Sequence, residues 1–297
     1  MTPTKINHIN PCFWTAFWNF DYYTSFISDT PLKKHREQKV YSLEFKAPKV
    51  LLKKVEDVHF IEGLGTVYLQ GKDLVQLENI KSPITMNDFD KSTINPDDTW
   101  FIDFENHFTE LEKIAGYDRI RTVIKTDKIE NREDRMYLAC FIIIHQIRSF
   151  KFLGRLFKKY NDSDNIKLQS YLHFKSVISN PDLLDSVIRP IVESKWTLYI
   201  TPEFKFPLSD NPIVSNKNLT WIPLSPKHLL EIDSSIRGSN LIDYKMELGD
   251  ETFVTFQENL VMSSFDSIIF SDKKTLEKIR ETSSWKVRKE QLGYVID

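Results

Sequence analysis

The chain has 297 residues, 41% of them hydrophobic and 28% charged, enough apolar material to bury a large core and too much for a disordered chain. Its 40 basic and 42 acidic residues leave a formal charge of -2, so no global field draws it to nucleic acid or to an anionic membrane, and such binding would need a local patch. The two cysteines, Cys12 and Cys140, stand far apart with no His or Cys at zinc-ligand spacing, which argues against a disulfide framework and a thiolate metal site and fits a reducing, cytoplasmic setting.

Residues 7 to 26, NHINPCFWTAFWNFDYYTSF, are far richer in aromatics than the rest of the chain. Asn19, Asp21 and Thr24 interrupt the run, so it lacks the unbroken apolar stretch of a secretory signal. Trp14, Phe17 and Trp18 stand at i, i+3 and i+4, and Phe13, Phe20 and Tyr23 can widen that face. The spacing predicts an aromatic-rich helix docked on the core, with His8 at its start. A polar, basic stretch, TPLKKHREQK, closes this first region.

From about 40 to 72 the runs VYSLEF, VLLKKV, VHFIEG and TVYLQG, punctuated by Gly63, Gly65 and Gly71, predict a small antiparallel sheet. The period then changes. Phe104, Phe108, Leu111, Ile114 and Ala115 lie at helical spacing, and REDRMYLACFIIIHQIRSFKFLGRLFKKY continues it as a long helix or a kinked pair. The most apolar part, MYLACFIIIHQI at 136 to 147, falls short of the roughly 20 residues a membrane span needs, so no membrane contact is expected. Two helices are expected within 165 to 195, the second started by Asn180-Pro181-Asp182, where Asn can cap free N–H groups and Pro suits the first turn. Strand signals return with WTLYI at 196 and continue through PIV, TWIPL, HLLEI, DYKMEL and SIIF, with helices over 251 to 265 and 273 to 283.

No fixed-period repeat or low-complexity linker divides the chain. It reads as one α+β domain over 1–297: an aromatic docking segment (1–39), a β-rich part (40–103), a helical part (104–195) and a second β-rich part with two helices (196–297). Antiparallel strands from about 40–72 and 196–270 should pack on the helical layer of 104–195.

Four short motifs occur in order: His8-Ile9-Asn10-Pro11-Cys12-Phe13-Trp14, Gln146-Ile147-Arg148-Ser149-Phe150, FPLSDNPIV at 206 to 214 and WIPLSPKHLLEI at 221 to 232. Together they resemble the proteins grouped as domain of unknown function 4238, with its His-x-x-Pro-x-Phe start, Gln-x-x-Arg-type helix, Ser-Asp-Asn-Pro and Pro-Leu-Ser-Pro. The resemblance spans nearly the whole chain. It departs in two places, with Thr15 where the family commonly has Leu and Arg148 two rather than three residues after Gln146. It implies no reaction.

Three polar groups are the candidate chemistry. His8 could be a general base or proton donor, since an unperturbed His titrates at about 6.5, or it could bond a backbone carbonyl and fix the path of the chain. Asp210 could hold a metal or orient a base, with Asn211 and Ser209 binding an oxyanion or phosphate. Equally, Ser209-Asp210-Asn211-Pro212 could be a turn in which Asp210 and Asn211 bond nearby backbone N–H groups. Arg148, Lys151, Arg155, Lys158 and Lys159 form a basic stripe at three- and four-residue intervals, able to bind phosphate with Gln146 beside it, or simply solvated.

Two other patterns carry less weight. Asp182 with Glu203 and Lys205 imitates a metal-dependent nuclease, but Asp182 belongs to a helix start where a strand is required. His107 and Glu110 share a helix face without a second ligand pair. Walker, dinucleotide, Gly-x-Ser-x-Gly and kinase motifs are missing from the sequence.

The leading expectation is a nucleic-acid- or nucleotide-directed hydrolase, a nuclease-like effector or toxin. It would use His8, Asp210 and Asn211 for chemistry, Gln146, Arg148, Lys151, Arg155 and Ser209 for substrate, and Mg or Mn if a metal is needed. The alternatives are a non-catalytic nucleic-acid-binding module and a protein-interaction subunit that docks a partner through its aromatic N-terminal segment.

Overall fold

The computed structural model describes residues 6–8, 10–31, 34–62, 66–70, 97, 99–103, 112–148, 180–238 and 242–294. In chain order it contains β1 (Ile6–His8), α1 (Cys12–Thr15), α2 (Phe20–Ile27), β2 (Lys39–Glu44), β3 (Leu51–Lys54), β4 (Phe60–Glu62), β5 (Thr66–Gln70) and β6 (Thr99–Asp103). There follow α3 (Asp118–Thr126), α4 (Arg132–Arg148), α5 (Pro181–Val192), β7 (Ser194–Ile200), β8 (Leu208–Ser209), β9 (Val214–Asn216), β10 (Leu219–Ser225), β11 (His228–Arg237) and β12 (Ile242–Lys245). The chain closes with α6 (Asp250–Ser263), β13 (Ser267–Phe270), α7 (Lys273–Glu281) and α8 (Ser283–Gln291). The fold is mixed α+β and mostly antiparallel.

Two sheets organise it. One has the order β12-β7-β11-β10-β9, with only the β12–β7 pair parallel. The other, β3-β2-β13-β8, joins the early strands to the returning C-terminal ones: Tyr41 faces Phe270, and Ser209 faces Ile268. Two-stranded pairs β1–β4 and β5–β6 complete the pairings among the described residues. β7 is almost wholly buried, as its run Trp196-Thr197-Leu198-Tyr199-Ile200 requires of a strand covered on both faces. Helix α7 packs on the second sheet, and Trp285 of α8 stacks on Phe45, just after β2, at 4.0 Å between ring centroids.

The N-terminal segment is core, but it is not one helix. α1 passes into a 3-10 turn over Ala16–Trp18 and breaks at Asn19, whose backbone is extended. The Asn19 side chain accepts the Tyr22 N–H as the N-cap of α2 and donates to the Lys39 carbonyl, so both ends of its amide are used at the break. Trp14, Phe17 and Trp18 are fully buried. Each indole N–H finds a distant backbone oxygen: Trp14 donates to the Leu224 carbonyl at 3.0 Å and Trp18 to the Phe206 carbonyl at 2.8 Å. On the helical side Trp14 meets Phe141 and His145 of α4 edge-on at 5.2 and 5.3 Å.

The helical layer is held from both ends. α5 begins as its sequence predicts, with the Asn180 side chain accepting the Asp182 and Leu183 N–H groups. Buried Arg135 of α4 donates to the Val192 and Ser194 carbonyls and lies 5.0 Å over the Trp196 ring, tying α4 to the turn between α5 and β7. Before α3, a π-turn over Lys113–Tyr117 brings Gly116 against Phe141. A Cβ there would lie 2.2 Å from the ring. The first helix expected within 165–195, and residues 104–111, fall outside the described residues.

Trp18→Phe should cost about 2 to 4 kcal/mol in urea unfolding, because it strands the Phe206 carbonyl and leaves a cavity. A cost below about 0.5 kcal/mol would show that water reaches the site.

Candidate functional site

Three of the four sequence motifs meet around the N-terminal segment. Asn10, between His8 and Pro11, donates from its one side-chain nitrogen to the Ser209 carbonyl at 2.7 Å and to His59 Nδ1 at 2.9 Å. Trp18 and Trp14 reach the segments that carry Ser-Asp-Asn-Pro and Pro-Leu-Ser-Pro. His59 itself has a left-handed backbone, φ 53°, unusual for a buried non-glycine residue.

At the centre of Ser-Asp-Asn-Pro, Asp210 is 0% exposed. Its carboxylate accepts the Phe265 N–H with both oxygens at 3.1 Å and the Asp266 N–H at 2.8 Å. Burial pushes its pKa up to about 7, against the pull of those N–H groups and of Arg288. Arg288 of α8 donates to the Ser264 carbonyl and lies over the Phe265 ring. The neighbouring Asn211 is buried as well, with its N–H on Ser209 Oγ and its side chain on the Ser263 carbonyl. Their side-chain bonds are not the local ones expected of a turn: reaching across the fold, Asp210 and Asn211 brace the link between α6 and β13.

Most of the other expected site residues, or their side chains, lie outside the described residues. His8 ends β1 opposite Phe60, and its side chain lies outside the described residues. Gln146 is exposed on α4, and Arg148 is the last residue of that helix, its side chain outside the described residues. Lys151 and Arg155, with the rest of the basic stripe, also fall outside them, as do His107 and Glu110. Asp182 sits in the first turn of α5, as its sequence context predicts. Among the described residues no group of three His, Cys, Asp or Glu could hold a metal, and no helix is long and apolar enough to cross a membrane.

An open groove lies elsewhere among the described residues. α2, the loop 202–204, Lys227 and the start of α7 enclose a groove of about 680 Å³ lined by Phe20, Tyr23, Ile27, Phe204 and their neighbours. Tyr23 and Phe204 meet edge-on at 5.0 Å, and Phe20 lies 5.4 Å from Phe204. Phe20 is 59% exposed and Ile27 45%, although Tyr22 and Phe26 of the same helix are buried. The sequence placed Phe20 on the docked face; the helix break at Asn19 rotates it outward instead.

Behind the groove runs a hydrogen-bonded chain. His228 Nε2 faces an Asp127 carboxylate oxygen at 2.8 Å, and Nδ1 faces Ser225 Oγ at 2.7 Å. A carboxylate only accepts, so Nε2 donates to Asp127, while Nδ1 and the Ser225 hydroxyl share the second bond. The bond from His228 lowers the Asp127 pKa and offsets that residue's left-handed backbone at the end of α3. Ser225 also takes the Lys227 N–H and faces Tyr23, whose pKa burial pushes up to about 12. These are the residues of a hydrolytic triad, but Ser225 is fully buried with its oxygen engaged, and Asp127 lies on Nε2. The chain locks the turn between β10 and β11 onto α3 and backs the groove. Ser225 stands within the Pro-Leu-Ser-Pro motif and His228 two residues beyond it, the sequence signal that could have singled them out.

No protein-family model, curated protein or solved structure matches this chain.

The raised Asp210 pKa has a signed consequence. Between its unfolded value near pH 4 and about 7 the native state holds the extra proton, so ionisation subtracts stability as pH rises through that window. In Asp210→Asn this contribution is gone, and the stability advantage of the wild type over the variant should narrow from pH 4 to pH 7 in urea titrations. An advantage that widens instead would mean the bracing carboxylate is ionised in the native state throughout.

Proposed function

We propose that this chain is a protein-interaction subunit that docks a partner on the groove beside α2. One observation carries the reading: a helix whose inner aromatics are sealed in the core turns Phe20 and Ile27 to solvent, where they border an open, aromatic-lined groove. Isolated exposed apolar residues are ordinary, whereas aromatic residues gathered at one concave surface have the composition of an interface centre. The surface is also preorganised. Tyr23 is held from behind by the Ser225–His228–Asp127 chain, so little side-chain freedom is lost on binding.

The hydrolase and nucleic-acid readings have less beneath them. A hydrolase built on Asp210 and Asn211 needs those groups open to substrate, and both are buried with their bonds filled. Phosphate needs positive charge, and the groove lining carries Glu203 and Asp272 against Lys227 alone.

A photo-reactive residue in place of Phe20 should give a discrete protein adduct in cells, weakened at least tenfold by Ile27→Ser or Phe204→Ala. The same residue in place of exposed Val287 should give none. Because Ile27 is nearly half exposed, the serine variant should keep its stability within about 0.5 kcal/mol. An adduct with RNA or DNA at position 20, or nucleic-acid affinity that falls steeply with salt, would favour the nucleic-acid reading instead.

A further inference from the structure

We infer that the partner places a cationic side chain, arginine or lysine among apolar residues, in this groove; the inference rests on the docking reading above. The groove already receives a cation of its own. The Lys227 ammonium lies 5.6 Å from the Phe204 ring centre and 6.0 Å from that of Tyr23, at the outer reach of cation–π attraction, while donating to the Pro202 carbonyl. Rings that attract an ammonium from within can attract an incoming guanidinium or ammonium in its place.

The charge of the lining points the same way. Glu203 is exposed and Asp272 half-buried, and among the described residues neither is in an ion pair. Asp272 is fixed in place as the N-cap of α7, its oxygens accepting the Thr275 N–H at 2.9 Å and hydroxyl at 2.8 Å. The groove lining thus carries two carboxylates and one ammonium. An incoming arginine can stack its flat guanidinium on Phe204 or Phe20 and fork onto Glu203, whereas an acidic side chain meets like charge. Lys227 competes with such a guest for the same rings.

The test uses the full chain and three labelled eight-residue peptides with leucine and phenylalanine at the same positions. They differ only in carrying two arginines, two glutamines or two glutamates. The arginine peptide should bind at least tenfold more tightly than the glutamate peptide, with glutamine between. Glu203→Gln should shrink that ratio without unfolding the chain, since the side chain is exposed. Lys227→Gln should tighten the arginine peptide by removing its competitor, and Phe204→Ala should weaken all three. Equal affinities for the three peptides would overturn the charge preference and leave the docking reading standing. Binding that Phe204→Ala leaves intact, or no binding by any peptide, would count against both.

Discussion

The structure depends on two indole N–H groups. Trp14 and Trp18 are buried from water on every side, and each must hydrogen-bond or carry the cost of a stranded donor. Each does so on a backbone carbonyl about 190 to 210 residues further along the chain, at Leu224 and Phe206. A backbone oxygen is a more demanding partner than a side chain, because it cannot swing to meet its donor. The two bonds thus fix where the segments before β8 and at the end of β10 pass the N-terminal segment. With Asn10 on Ser209, they hold three of the sequence motifs in one place.

From this constraint the position of the groove follows. Once Trp18 is pinned, Asn19 ends the turn and starts α2 in a new direction. That direction buries Tyr22 and Phe26 and leaves Phe20 and Ile27 outside. The Phe206 carbonyl that receives Trp18 lies two residues beyond Phe204, so the bond that closes the core also sets the far wall of the groove. On the other wall Lys227 sits in the turn after Leu224, the acceptor of Trp14. Core and surface are two faces of the same short segment. The buried polar motif around Asp210 belongs to the first and the exposed aromatics to the second.

Much of the fold was legible in the sequence because it is written locally. Alternating β-branched and aromatic residues marked most of the strands, Asn180 and Pro181 marked the start of α5, and the aromatic density near the N-terminus marked a core segment. What was not legible depends on distant partners. β8 has only two residues and exists because β13 pairs with it. The helix break at Asn19 is tied to the Lys39 carbonyl, a partner no periodicity contains. Asp210 read equally well as a turn or a site, because the N–H groups that decide the matter belong to Phe265 and Asp266. The groove carries no motif at all: Phe20, Phe204 and Lys227 become neighbours only when α2, the loop after β7 and the turn after β10 are assembled.

The most direct test of this account is hydrogen exchange at the two indole N–H groups, followed by NMR in the native protein. Protons locked between Trp14 and Leu224, and between Trp18 and Phe206, should exchange only through global unfolding, as slowly as the central amides of β7 and β11. Exchange at the rate of a solvent-exposed indole would mean that the N-terminal segment is not anchored in the core, and the groove built on it would have no fixed wall.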